Sequence, residues 1–252
     1  MSDVHEEKRR IREMVWRLLE SRRVARFPLP VRGRIPNFVG AEEAARRLAE
    51  LEVWKRARIV KINPDSPQRP VRLIALKQGK ILVFATPRMR SGFLVLDPRR
   101  IPPHLVEAAS TIRGAFRWGR AVGLDELGSM SVDLMVTGSV AVDRRGTRLG
   151  KGEGFAELEY GVLRSVGAMS EETPIITTIH DLQIVDYIPR EPHDLVVDVA
   201  VTPSKVLTFE KQPRPPGIIW SELPCRKLEE IPLLRELAAR MGVEKPCREA
   251  TR

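Results

Sequence analysis

The chain has 252 residues, of which 42% are hydrophobic and 30% charged, with a formal net charge of +10. That length suits one α/β domain with an extension, or at most two small domains, and the recurring apolar runs exclude a chain disordered throughout. The charged N-terminus lacks the apolar stretch of a signal peptide and no apolar run reaches membrane-spanning length, so a cytoplasmic protein with no membrane partner is expected.

In chain order, Val4 to about Arg26 reads as an amphipathic helix, with Ile11, Met14, Val15, Leu18 and Leu19 at helical spacing. Three prolines and two glycines make Phe27 to Gly40 a loop, and Ala41 to Leu51 a short helix with acidic residues at its start. Arg58 to Ile62, Val71 to Leu76 and Ile81 to Ala85 read as strands, the last two joined by a hairpin at Gln78-Gly79-Lys80. A basic loop follows at Thr86 to Gly92, then a short strand at Phe93 to Leu96 and a short helix around His104 to Ala109. Val132 to Val136 reads as a buried strand, Val140 to Val142 continues the apolar signal, and Phe155 to about Val166 reads as a helix. Strands follow at Ile175 to Ile179, Ile184-Val185, Leu195 to Val201 and Val206 to Phe209. Prolines 213, 215 and 216 mark a linker, and Leu228 to Met241 a closing helix. Alternating strands and helices predict an α/β fold with a doubly wound, mostly parallel sheet in three layers. The expected division is a domain over 1–210 and a linker with a helical tail over 211–252.

Three readings of the basic excess stand together. Lys and Arg neutralise nucleic-acid phosphates, or an anionic small substrate, or they belong to a thermophile-like surface rich in ion pairs. The presence of only two asparagines, Asn37 and Asn63, favours the last. Cys225 and Cys247 have no metal-type cluster around them. They could form one bridge across the tail, but reduced thiols are the simpler reading.

The chemical signal is Gly150-Lys151-Gly152-Glu153-Gly154, placed between a strand unit and a helix. Glycines let several backbone N–H groups converge on a phosphate, the helix start adds its dipole, and Lys151 adds a charge. The string is neither a Walker loop, which needs Ser or Thr after Gly-Lys, nor the GxGxxG dinucleotide pattern.

The loop sits in a longer string, Asp133 to Asp143 followed by Gly146-Thr147-Arg148-Leu149-Gly150-Lys151-Gly152-Glu153-Gly154-Phe155. This resembles the 5-formyltetrahydrofolate cyclo-ligase family, which reads D-L-hydrophobic-P-G-x-A-F-D-x-x-G-x-R-L-G-Y-G-x-G-Y-Y-D. Lys8 to Arg12, Gln183, Asp194 and Asp198 to Thr202 extend the likeness over most of residues 8 to 205. The resemblance implies ATP- and magnesium-dependent closure of 5-formyltetrahydrofolate to the 5,10-methenyl form. It assigns Lys8, Arg148 and Lys151 to catalysis, and Arg12, Gly150, Gly152, Glu153, Gly154 and Phe155 to ATP. Glu157 stands for the Asp of Y-Y-D as a magnesium ligand, and Arg72, Met89 and Ala156 are the candidate substrate contacts. The implied partners are ATP and a reduced folate, with the chain a monomer or small homo-oligomer.

Departures from the pattern are Thr137 for Pro, Lys151 for Tyr, Glu153 for a small residue and Ala156 for Tyr. Where the family has a Glu on an early strand, the nearest match is Arg72. These variants resemble a divergent branch described only as methenyltetrahydrofolate synthetase domain-containing. A non-catalytic nucleotide- or RNA-binding module on the same fold is the alternative. His180-Asp181 at a strand end reads as locally capped, and His5, His104 and His193 as surface. Arg88 and Arg90 read equally as solvated arginines or as holders of a folate's glutamate tail or RNA phosphates.

Overall fold

The computed structural model describes residues 2–249. Its helices are α1 (Ser2–Ser21), α2 (Ala41–Ala49), α3 (Glu52–Arg56), α4 (Arg69–Lys77), α5 (Val106–Ala109), α6 (Ile112–Trp118), α7 (Leu124–Ser129), α8 (Phe155–Ser165), α9 (Cys225–Glu230) and α10 (Pro232–Arg240). The strands are β1 (Ala25–Arg26), β2 (Asn37–Phe38), β3 (Ile59–Ile62), β4 (Ile81–Ala85), β5 (Phe93–Leu96), β6 (Arg120–Val122), β7 (Leu134–Thr137), β8 (Ala141–Asp143) and β9 (Arg148–Leu149). Four more complete the set: β10 (Ile175–Thr178), β11 (Ile184–Val185), β12 (Val199–Val201) and β13 (Val206–Thr208). None of the described helices is long and apolar enough to cross a membrane.

Eight strands form the main sheet in the order β13-β12-β10-β7-β3-β4-β5-β6. The run from β12 to β4 is parallel, and antiparallel strands close both ends. Side chains alternate between two cores, as the pleat requires. On β4, Leu82 and Phe84 join one core and Val83 and Ala85 the other, and Leu134 and Met135 of β7 divide the same way. The first core holds α8 and α10, the second α2, α4 and α6, so the expected three-layer α/β fold is present. A small sheet, β11-β8-β9, stands beside it. Ile11, Val15 and Leu19, four residues apart on one face of α1, pack against Val140, Ala141 and Leu149 of this unit.

Several expected elements differ. Residues 71–76 are helical, in α4, with proline in its first turn. β3 and β4 are parallel neighbours, and a parallel pair needs a crossover where a hairpin would not serve. Gln78 and Gly79 end that helix, Gly79 at φ +78. Residues 195–197 leave the main sheet, where Leu195 carbonyl accepts from Arg148 N and Val196 bridges Thr147. The single closing helix is two, because Ile231 is extended and Pro232 cannot continue α9. Helices α3, α6 and α7 and strands β1, β2, β6 and β9 were not expected, and α1 ends at Ser21 rather than near Arg26, which lies in β1. The cysteines are not reduced thiols: Cys225 and Cys247 form a disulfide. Leu223, Ile231, Leu234 and Leu237 set the C-terminal segment into the first core.

One charged residue interrupts that core. Lys61, in the middle of β3, is fully buried, donates to Asn63 Oδ1 at 2.6 Å and pairs with Glu159 of α8. Burial pushes the Lys61 ammonium down and the Glu159 carboxyl up, and each partner opposes the other's shift. Glu159→Ala strands a buried ammonium and should cost about 3–5 kcal/mol, read as a lower urea midpoint. Lys61→Met with Glu159→Leu removes both charges and should recover most of that loss. A Glu159→Ala variant as stable as the parent would show that the pair carries no such weight.

Candidate phosphate site and its two clefts

The loop leaves β9 at Gly150 and enters α8 at Phe155, so the N–H groups of an eleven-residue helix face the turn. Gly152 and Gly154 have φ of +101 and +71, which side chains rarely adopt. Helix α1 supports the loop from outside: Arg12 Nε donates to Gly150 carbonyl at 2.7 Å. A Cβ on Gly152 would lie 3.4 Å from Arg12 Cζ. One turn earlier on α1, buried Lys8 donates to Glu191 at 2.7 Å and pairs with Asp194. Arg148, also buried, donates to Gly138 carbonyl at 2.8 Å and holds Glu157.

Charges around the loop are cross-paired. Lys151 Nζ is 2.7 Å from Glu153, and Arg88 lies 3.3 Å from Glu153 and from Glu230. Burial raises the Glu153 carboxyl, but the Lys151 hydrogen bond and charge outweigh it and hold the group below its usual range. Burial lowers the Arg12 guanidinium, and the charges of Asp194 and Glu157 oppose that shift.

The sheet places this loop at its topological switch point. From β3 the chain runs to β4 on one side, and β7 leads to β10 and β12 on the other. Ligands in open α/β sheets occupy the crevice beyond the carboxyl ends at such a reversal. Asn63 and Asp65 follow β3 there, and Gly138 follows β7. Two clefts open around the loop, of about 600 Å³ and 330 Å³. Arg88, Gly150, Glu153, Gly154 and Glu157 line both, so the loop is the wall between them. Lys8, Arg12 and Gly152 face the larger cleft, and Arg148, Lys151, Phe155 and Ala156 the smaller.

Two candidate substrate residues line neither cleft. Arg72 sits on α4 rather than on a strand, and is buried. Its guanidinium, lowered to about 9 by burial, donates to the carbonyls of Ser110, Asn63 and Asp65. It thus braces the turn after β3 from behind. Met89 is wholly buried in the first core. An acid that the sequence reading passed over, Asp65, lies three residues beyond β3 and lines the smaller cleft. Burial raises its carboxyl, against the charges of Lys151, Arg148, Arg72 and Lys61. Reading residues 71–76 as a strand hid this, because it moved the early strand past Asp65.

Glu191, His193 and Asp194 were also missed as a group, although Asp194 was matched singly. Their ligand atoms lie within 4.8 Å of one another beside Lys8, and with His5 they line the larger cleft. Their signal was the compact string Glu191-Pro192-His193-Asp194 between two strands. His180 is locally capped as expected, its Nδ1 accepting from Leu182 N at 3.1 Å, and burial lowers its pKa. For a hard cation, the larger cleft offers the carboxylates of Glu153, Glu157, Glu191, Asp194 and Glu222, of which 191 and 194 stand together with His193.

The sequence model of the 5-formyltetrahydrofolate cyclo-ligase family matches residues 4–203. The chain is 44% identical over 236 residues to a methenyltetrahydrofolate synthase domain-containing protein of Bos taurus, covering 91% of this chain and 61% of that protein. The Mus musculus protein of the same name is 44% identical over 239 residues, at 92% and 63% coverage. The chain therefore spans about three-fifths of those relatives' length. A 5-formyltetrahydrofolate cyclo-ligase of Mycolicibacterium smegmatis is 33% identical over 73 residues, 29% of this chain and 34% of that one. The fold matches the solved 5,10-methenyltetrahydrofolate synthetase of Aquifex aeolicus with a TM-score of 0.50 at 19% identity, over 82% of this chain and 94% of that one. By the family match over most of its length and by its likeness to these relatives, the chain belongs to the 5-formyltetrahydrofolate cyclo-ligase family.

Proposed function

We propose that the protein is an ATP- and magnesium-dependent cyclo-ligase acting on 5-formyltetrahydrofolate or a closely related reduced folate. The observation that carries this reading is the glycine loop standing as the shared wall of two clefts at the switch point of the sheet. Phosphoryl transfer between two substrates needs the donor phosphate and the acceptor oxygen to meet at one place. ATP in the larger cleft would lay its phosphates on the loop, near Lys8 and Arg12. The folate in the smaller cleft would meet Asp65, Ala156 and Phe155.

The formyl oxygen is a poor leaving group until it is phosphorylated. The neighbouring folate nitrogen then attacks the formyl carbon and gives up its proton to solvent, the ring closes, and the C–O bond breaks as phosphate departs. The residues here position and neutralise; none of them needs to form a covalent bond. Arg148 and Lys151 approach from the acceptor side, Lys8 and Arg12 from the donor side. Glu157 faces both clefts and, with Asp194, would hold magnesium, whose chemistry there is to neutralise phosphate oxygens.

Purified protein given 5-formyltetrahydrofolate, ATP and magnesium should form the absorbing methenyl product, with none when ATP is omitted. Gly152→Ala, strained at its positive φ, should lower turnover about a hundredfold. ATP bound with no product would sink the folate assignment, and no ATP bound would sink the whole reading.

Two arginine and lysine variants separate anchoring from phosphate contact. Arg148→Ala leaves Glu157 without its partner and should lose about 3 kcal/mol of unfolding free energy as well as ATP-dependent turnover. Lys151→Ala, on a partly exposed side chain, should change stability by less than about 0.5 kcal/mol while still lowering turnover. Equal stability losses in both would contradict the two roles.

A further inference from the structure

The family match ends at residue 203, yet one wall of the larger cleft is built beyond it, by residues that include Ile218, Leu223, Arg226, Lys227 and Arg248. The match to the domain-containing relatives runs into this segment, since a match over 91% of the chain must extend past residue 203. The segment is anchored in three ways: its leucines enter the first core, Glu230 pairs with Arg88, and Cys225 at the start of α9 is bonded to Cys247.

Lys227 on α9 is the exception among the buried lysines. Lys8 donates to Glu191, Lys61 to Asn63, and Lys80 to the carbonyls of Trp54 and Ala57 at 2.8 and 2.7 Å. Lys227 is only 7% exposed, and among the described residues no acceptor or carboxylate lies within bonding distance of its ammonium. The ammonium rests 3.5 Å from the centre of the Phe155 ring, which satisfies its charge in part but none of its N–H donors. The stem is enclosed while the ammonium opens on the larger cleft, so its free donors face whatever anion enters there. Burial lowers the group, with Arg88 and Arg226 acting in the same direction and Glu230 and Glu153 opposing. Phe155 is the first residue of α8, directly after Gly154, so the ammonium stands beside the loop and the positive end of that helix. Lys8 and Arg12 reach the same cleft from α1.

We infer that Lys227 is an additional phosphate-binding residue of the nucleotide site, brought by the C-terminal segment to the loop at Gly150–Gly154. This inference rests on the assignment of the larger cleft to ATP. It gives the segment beyond the family match a direct part in holding the ligand's charge, opposite Lys8 and Arg12. The adenosine portion makes no demand on this ammonium.

The test compares binding of Mg-ATP and of adenosine by the full chain, as wild type, Lys227→Gln and Lys227→Arg. Lys227→Gln should weaken Mg-ATP about tenfold and leave adenosine unchanged, and Lys227→Arg should restore most of the affinity. In the wild type, Mg-ATP but not adenosine should protect Lys227 about tenfold from an amine-reactive label, a measurement that needs no variant to fold. Wild-type binding of Mg-ATP with unchanged affinity in Lys227→Gln, with equal losses for both ligands, or with no protection of Lys227, overturns the inference alone. Wild type that binds no Mg-ATP overturns the nucleotide assignment and this inference with it.

Discussion

The site depends on a buried ion pair, Lys61 with Glu159, set just behind the smaller cleft that Glu159 helps to line. Lys61 lies in the central part of the sheet, and Glu159 on the helix that opens at the glycine loop. Apolar packing alone would let that helix slide along the sheet at small cost. Two opposite charges in a dry interior cannot slide apart, because each would then be left unpaired at a cost of several kcal/mol. The pair therefore fixes the register of α8 against β3, and so the distance between the loop and the turn at Asn63–Asp65. Arg72 fixes the same turn from the other face of the sheet, through its bonds to the carbonyls of Asn63 and Asp65. Both walls of the smaller cleft are thus held by buried cations that never meet a ligand.

Around the loop itself the charges are arranged differently. Arg148 holds Glu157, Lys151 and Arg88 share Glu153, and Lys8 holds Glu191 and Asp194. Each of these four cations is kept in place by a carboxylate, and an incoming phosphate competes with that carboxylate for it. Many of the chain's basic residues lie elsewhere, in pairs that are neutral overall. Arg9 pairs with Glu6, Arg46 with Glu43 and Arg240 with Glu236, all on exposed helix faces. Such pairs contribute little individually, and they spread the basic residues over the surface rather than into one stripe.

What could be read from the sequence follows from the kind of signal each element carries. The loop and helix α8 were legible because glycine spacing is a backbone constraint that shows in the residues themselves. The parallel sheet was legible from alternating apolar runs. Residues 71–76 were not, since a short apolar run fits a strand and a buried helix equally well. The deciding fact was tertiary: β3 and β4 lie side by side in parallel, and the chain must cross over between them. That one misreading placed Arg72 at the site and hid Asp65. The closing segment was legible as helical, but its place over the cleft was not, because nothing in residues 213–248 marks contact with Phe155 or Arg88.

The departures from the family pattern divide by electrostatics. A glutamate added to a phosphate loop would repel the ligand if it stood alone. Here Glu153 came with Lys151, and the two lie 2.7 Å apart with Arg88 also on the carboxylate. The added charges cancel, so the loop presents its backbone N–H groups to an anion much as an uncharged loop would. Ala156 has no such compensation. It lines the smaller cleft where the family pattern has a tyrosine, and the space a ring would fill is left to the cleft. The balanced changes fall on the phosphate loop and the unbalanced one on the acceptor side. That asymmetry makes the lining of the smaller cleft, rather than the charge of the glycine loop, the feature in which this chain departs furthest from the family pattern.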